Sequence, residues 1–536
     1  MPLQIPEDVP TELWMNIFES MDNPTDLCSV ILTCRKFYEC GIRSLYRNLR
    51  WMDPIAISSG LHAWDESPQL CNDVRSLKFG VSTIPAWYPA TFVGARGTVF
   101  SSQFMGPPDG RAVHPISMGF FRSGLSQDLF AHGPFYDTIL ARVATFTNLS
   151  RLILKDLLFT DRLYSTIYSL PALRHLHIES CVSPRRQSLT ERDPTTLPIT
   201  ELTLLNLRRA LVSLAEPMDA RHADDDILPI LSLGRARNLR TLRVDPTADI
   251  FNRVYVVWSH QQGVWAIHPP PDLEVLHLER KGVVRDNGAP QSVSETSFPD
   301  RAVYKLLLRC PTIHTLTIAQ SLPQHTPYPV NALPNLKNFQ GLADTVPIVT
   351  RHKQLDAISI LHSDTMTKFM DTLGSVAHSQ PNLKMLSLEC GRWNDELLHA
   401  IPQLFPRLRR LHVTYLRGGP TELEVSSWGP LFLSRLPDLH TFQCYEAPHP
   451  SGHSDPYMPD PRPSDDPDHP YLFDNTWDSI ESEMRDLLIP WNRFCKSLRE
   501  VQLCRKWKMR RTYDGGRWDA VKVKGDDFEI QETFDY

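Results

Sequence analysis

The sequence predicts an α/β chain: a short all-helical segment, then a long array of parallel strands alternating with helices, then a closing β-hairpin. Three observations lead there. Some forty residues near the start carry three successive helical patterns of apolar residues. A motif of the form L-x-x-L-x-L recurs thirteen times through the rest of the chain. Segments with apolar residues three and four apart lie between the copies, several opening on Asp or Asn.

The helical segment is VPTELWMNIFESMDNPTDLCSVILTCRKFYECGIRSLYRNLRW, residues 9–51. On a helical wheel Leu13, Trp14, Ile17, Phe18 and Met21 form one broad stripe, with Met15 on the far side. Pro10 and Thr11 supply the helix entry. Asn23 and Pro24 read as a cap followed by a first-turn proline. A second helix carries Leu27, Val30, Ile31, Cys34, Phe37 and Tyr38 on one face, with Cys28 and Leu32 on another. A third carries Ile42, Leu45, Tyr46 and Leu49. Three helices this short cannot bury two apolar faces among themselves. The spare surface must meet either the rest of the chain or a partner, and the residues leave open which face does which.

These residues resemble an F-box, whose pattern runs LPxELLxxIFxxL…dLxxxxxVCrxFxxxxxxxLyxxl. Pro10, Glu12, Leu13, Ile17, Phe18, Leu27, Val30, Cys34, Phe37, Leu45 and Tyr46 agree with it, while Val9, Trp14, Met21 and Thr33 depart mildly. The resemblance covers residues 5–50 and implies binding of a Skp-type adaptor and, through it, a cullin. The side chains it nominates are Pro10, Leu13, Trp14, Ile17, Phe18, Leu27, Cys28, Val30, Leu32, Cys34 and Phe37.

The thirteen copies begin at Val74, Leu149, Leu173, Ile199, Leu239, Leu273, Ile313, Leu336, Leu355, Leu383, Leu408, Leu439 and Leu498. Seven have a proline two residues earlier: Pro171, Pro271, Pro311, Pro334, Pro381, Pro406 and Pro437. With 45 prolines in 536 residues about one is expected by chance, so the copies are related units. Helices are expected in DRLYSTIYSLP, DRAVYKLLLRCP, DTMTKFMDTLGSVAH, NDELLHAIPQLFP and DSIESEMRDLL. The alternation resembles leucine-rich repeats of the longer kind. It implies a right-handed solenoid with strands on the concave side and helices on the convex side.

The organisation expected is an F-box at 5–50, a connecting helix and first repeat strand at 51–80, and an irregular insertion at 81–136. The repeat solenoid follows at 137–445, a Pro/Asp-rich disordered loop at 446–475, and the last repeat with its hairpin cap at 476–536. That C-terminal arrangement resembles the ends of fungal F-box proteins with degenerate leucine-rich repeats.

The fourth and sixth positions of each copy face inward, so the third, fifth and seventh face outward on the concave side. Candidate target contacts are therefore Arg151, His175, His177, Arg243, His277, Glu389, Arg410 and His412. His175 and His177 share a face and, with Glu179 and His277, have the residue types of a metal site. A solvated polar row is the preferred reading, so no metal is expected. His449, His453 and His469 lie in a proline-broken stretch that does not suit a formed site. No phosphate-cradling glycine loop, nucleophile elbow or zinc-protease motif occurs, so neither a catalytic residue nor a cofactor is expected.

The formal net charge of -6 provides no broad field for nucleic acid or acidic membrane. The basic run Lys496, Arg499, Arg505, Lys506, Lys508, Arg510 and Arg511, interleaved with Trp507 and Tyr513, invites a nucleic-acid reading. The preferred reading packs Val501, Leu503, Trp507 and Met509 and leaves the charges in water, with a local patch for an anionic partner also open. No apolar run is long enough to span a membrane, and MPLQIPEDVP lacks the features of a secretory signal. Ten cysteines without a C-x-x-C suit reduced thiols in the cytoplasm or nucleus. The resemblances together imply a non-enzymatic substrate receptor of a cullin-based (SCF) ubiquitin ligase, presenting an unidentified protein target for ubiquitin transfer and proteasomal degradation. A repeat scaffold that binds a partner outside any ligase is the alternative.

Overall fold

The structure, a computed structural model, describes residues 10–523 except 22–23, 53–56, 58–60, 62–63, 81–91, 94–98, 101–133, 158, 184–192, 210–228, 246–254, 260–263, 268, 280–299, 320–330, 351–353, 364–365, 448–476, 505–506 and 514–515. Most of the expected insertion and nearly all of the Pro/Asp-rich loop lie outside the described residues, as does Asn23. The chain forms two compact units: Met1–Leu273 with Lys281–Arg285, and Glu274–Arg280 with Asp286–Tyr536.

The first unit opens with helices α1 (Thr11–Glu19), α2 (Pro24–Ile31) and α3 (Arg35–Arg47). Pro24 is the first helical residue of α2, where its missing N–H costs nothing. The second and third helices divide elsewhere than expected. The chain breaks after Ile31, where Thr33 turns its hydroxyl onto the Val30 carbonyl (2.7 Å) and Cys34 is extended. Cys34, Phe37 and Tyr38 therefore open α3 instead of extending α2. A second correction concerns Leu49, which lies not in a helix but in strand β1 (Asn48–Trp51). Strand β1 pairs in parallel with β2 (Ser76–Gly80), so the strand array begins one strand before its first recognisable copy.

Beyond β2 the unit adds parallel strands Arg151–Lys155, His175–Glu179, Glu201–Leu205 and Thr241–Val244, each paired to the one before. Each strand starts at the third position of its copy and pairs third position to third, so the motif sets the register as well as the strands. Asp156, Ser180 and Asn206 then leave successive strands with φ near +50°, residues whose short polar side chains tolerate that left-handed turn. Asp156 N–H donates to the Glu179 carbonyl and Ser180 N–H to the Leu205 carbonyl, stacking the turns. An aromatic cluster of Tyr46, Trp51, Trp64 and Phe146 ties the end of α3 to the start of the sheet.

The second unit continues the pattern with parallel strands Val275–Leu278, Thr315–Ile318, Asn338–Leu342, Ala357–Ser363, Met385–Cys390, Arg410–Tyr415, Thr441–Glu446 and Glu500–Cys504. Two antiparallel strands, Trp507–Arg510 and Asp519–Lys522, close the row and form the hairpin expected around the DGG turn. The expected helices occur at Asp161–Tyr168, Asp300–Arg309, Met366–Ser379, Asp395–Leu404 and Trp477–Trp491. Asn394 caps the fourth with its side chain, accepting from Glu396 N–H. A further helix, Glu422–Leu431, carries a reciprocal Thr421–Glu424 capping box that periodicity alone did not reveal. All seven repeat prolines sit in the turn that leads into a strand, where a fixed φ and a missing N–H end any preceding helix.

The first, fourth and sixth positions of the copies supply the core. Leu149, Leu152 and Leu154 are buried in one copy, and Leu408, Leu411 and Val413 in another. No single copy can hide these residues; burial comes from stacking on neighbours.

Candidate functional site

Two surfaces carry the nominated residues. The first is the helical domain. Its core is Phe18, Leu27, Ile31 and Cys40, flanked by Trp14, Met15, Met21, Val30, Phe37, Ile42 and Leu45. Trp14 and Phe37 rings lie 4.5 Å apart and Phe37 meets Phe18 edge-on at 5.5 Å. Gly41 allows α3 to cross close to its neighbours: a Cβ there would lie 2.3 Å from Ile31 Cγ2.

The broad stripe expected on α1 divides in two. Phe18, Trp14, Met15 and Met21 turn inward, which corrects the placement of Met15 on the far side. Leu13 and Ile17, one turn apart, are left 52% and 46% exposed. Leu32, at the α2–α3 turn, is 72% exposed, and Tyr38 in the first turn of α3 is also largely open. Pro10 and Cys34 are exposed, and Cys28 is half-buried. Of the eleven nominated residues, Phe18 and Leu27 are interior and Trp14, Val30 and Phe37 line that interior. Apolar spacing alone places Tyr38 on a helical face of α2; the break at Cys34 puts it in the first turn of α3 instead.

The second surface is the strand row. In the first unit it is open and paired by charge. Arg151 is exposed; His175 Nδ1 lies 2.6 Å from Glu201, and His177 Nε2 lies 3.1 Å from Glu179. Lys155 also pairs with Glu179. The His177 hydrogen bond, then Lys155, holds the Glu179 carboxyl down at about 2. Arg243, by contrast, is buried. Among the described residues no group of three or more His, Cys, Asp and Glu side chains is arranged to hold a metal ion.

In the second unit the fifth positions form a self-paired polar ladder. His277 Nδ1 meets Thr317 Oγ1 at 2.8 Å, Thr317 donates to Gln340 Oε1 at 3.1 Å, and Gln340 Nε2 donates to Ser359 Oγ at 3.3 Å. Further along, His412 bridges Ser387 Oγ (3.2 Å) and the Tyr445 hydroxyl (2.9 Å). Most of these residues are buried, because strands about 4.8 Å apart let each side chain shield the next. His412 keeps some accessible surface, yet burial pushes its imidazole down to about 4. Glu389 and Arg410 are half-buried on the same strands. The row therefore offers fewer free contacts than the sequence pattern implies: His277 and His412 are already engaged with neighbours.

An F-box-like family model matches residues 6–50, the helical domain and the beginning of β1. No curated protein matches the chain. Among solved structures the chain is similar to TLR13 in the crystal structure of its ssRNA13 complex, at 13% identity and a TM-score of 0.30, over 57% of this chain and 41% of that one. It is also similar to the plant peptide hormone receptor RGFR1 in complex with RGF2, at 10% identity and a TM-score of 0.18, over 58% of this chain and 42% of that one. The chain thus spans less than half the length of either. The chain carries an F-box-like domain at its amino-terminal end.

Proposed function

We propose that this chain is the substrate-recognition subunit of a cullin-based ubiquitin ligase, non-catalytic in itself. Its F-box-like domain would dock on a Skp-type adaptor and its strand rows would hold a target protein. The observation that carries this reading is the exposure of Leu13, Ile17 and Leu32 on a domain whose interior is already filled. Large apolar side chains left open beside a packed core are the anchors a protein interface uses. The F-box-like match supports a Skp-type adaptor as the partner, since F-box domains generally bind one.

The physical task is positioning. A repeat array, with strands laddered to their neighbours within each unit, would hold a bound protein near the adaptor and so raise its local concentration at a catalytic subunit. The reading is tested by affinity purification of the full chain with ligase activity blocked. Adaptor and cullin should co-purify, along with a target enriched over background. Recovery of a target without either would instead identify a scaffold outside any ligase.

A further inference from the structure

The outer face of the second unit's parallel strands is not level. Asn338, Ala357, Met385 and Arg410 hold the third position of four successive copies. The ladder sets them side by side, Asn338 against Ala357, Ala357 against Met385, and Met385 against Arg410. At a strand spacing of about 4.8 Å the four span about 14 Å. Alanine is the smallest of them, so the row dips between longer side chains. The dip is the floor of a cavity of about 340 Å³, with Asp356, Lys384 and Arg409 from the second positions along its rim.

Most of the polar groups around this cavity are already matched. Lys384 Nζ donates to Asp356 Oδ1 at 2.7 Å, so these two charges answer each other. Arg410 has the Glu500 charge acting on it. Two groups are left over. Arg409 is exposed, and among the described residues its side chain makes no hydrogen bond or ion pair. Asn338 donates through Nδ2 to Thr315 Oγ1 at 3.1 Å, while none of the described residues donates to its Oδ1. What the cavity offers is therefore one guanidinium, one amide oxygen and the apolar floor of Ala357 and Met385.

These three features ask for three groups on a single ligand. A guanidinium takes a carboxylate in a charge-assisted hydrogen bond. An amide oxygen takes an N–H, and the floor takes an aliphatic side chain. Two adjacent residues of an extended peptide, one acidic and one aliphatic, carry all three. The volume lies at the lower end of the range of about 300–1,000 Å³ typical of small-ligand pockets, room for a residue or two of a chain and not for a folded surface. We propose that this cavity seats a segment of the target protein in which an aliphatic side chain stands beside Asp or Glu. The proposal rests on the reading that the strand rows hold a target, and it names the chemistry of the segment held.

The test titrates peptides into the purified full chain, without adaptor or cullin, by ligand-observed NMR. Acetyl-Gly-Asp-Leu-Asp-Gly-amide should bind. Acetyl-Gly-Asn-Leu-Asn-Gly-amide, which lacks the charge, and acetyl-Gly-Asp-Gly-Asp-Gly-amide, which lacks the apolar group, should each bind at least tenfold more weakly. Arg409→Glu, at an exposed side chain, should reverse the preference toward acetyl-Gly-Lys-Leu-Lys-Gly-amide. Ala357→Leu fills the dip and should abolish binding. Arg435→Ala, an exposed arginine outside the lining, should leave binding unchanged. No binding of the Asp-Leu-Asp peptide, equal binding of the first three peptides, or an unreversed preference in Arg409→Glu overturns the proposal. A chain that recovers adaptor and cullin but binds no peptide strikes this inference alone; one that binds the peptide but recovers neither strikes the ligase reading and supports the site.

Discussion

Cys34 sits exposed at the start of α3, beside the open Leu32, while seven other cysteines are buried. Burial pushes the Cys181, Cys310 and Cys390 thiols up to about 12, so they stay protonated and unreactive. A thiol reagent added to the native protein should therefore label Cys34 first and the buried set only after unfolding. Saturating adaptor should slow labelling of Cys34 several-fold, measured by mass spectrometry; an unchanged rate would place the adaptor elsewhere. His412 provides a second test at this scale. Its pKa in the folded state is about 4, against an ordinary 6.5. Between those values the unfolded chain takes up a proton that the folded chain refuses. Stability is thus complete above about pH 6.5 and falls as the pH drops toward 4, by at most about 1.4 kcal/mol per unit. In His412→Gln that decline should be shallower, as read from denaturant midpoints across the window. An identical slope would show that the imidazole is not held neutral.

At the scale of elements, the helical domain separates residues that build it, such as Phe18, from residues left exposed, such as Leu13 and Ile17. Phe18→Ala would remove a side chain only 1% exposed, a loss of about 3–5 kcal/mol, which a domain of this size cannot absorb. Lost adaptor binding in that variant would report unfolding and not contact. Gly41→Ala behaves contrary to the usual helix rule. Alanine normally stabilises a helix interior by about 0.5–1 kcal/mol relative to glycine. Here the added methyl meets Ile31, and overpacking should destabilise the domain by about 1–3 kcal/mol, seen as faster hydrogen exchange over residues 10–47. Protection equal to wild type would mean the helices cross less tightly. The helix–helix break at Thr33–Cys34 escaped the sequence because apolar spacing runs unbroken from Leu27 to Tyr38. It is a local side-chain-to-backbone bond that ends α2. Strand β1 escaped for a related reason: Leu49 fits the helical spacing of Ile42, Leu45 and Tyr46, yet pairing with β2 decides its conformation.

At the scale of the whole molecule, the repeat motif was almost fully legible. Every copy from Val74 to Leu498 becomes a strand that starts at its third position, because period-two burial and neighbour pairing both depend on the same three apolar residues. The outer face was legible only as a row of residue types. Whether His277 or His412 stands free depends on cross-strand partners such as Thr317 and Tyr445, which lie 40 and 33 residues away in sequence. Leu13 and Ile17 share a helical stripe with Phe18 in the sequence and part from it only in the fold, where they are exposed and Phe18 is buried. Docking of these open side chains on an adaptor, as proposed, is tested most directly by measuring the affinity of purified Skp-type adaptor for the full chain and for Leu13→Asp/Ile17→Asp. A loss of at least a hundredfold is expected, with circular dichroism and thermal unfolding unchanged. Retained affinity in a folded variant would contradict it.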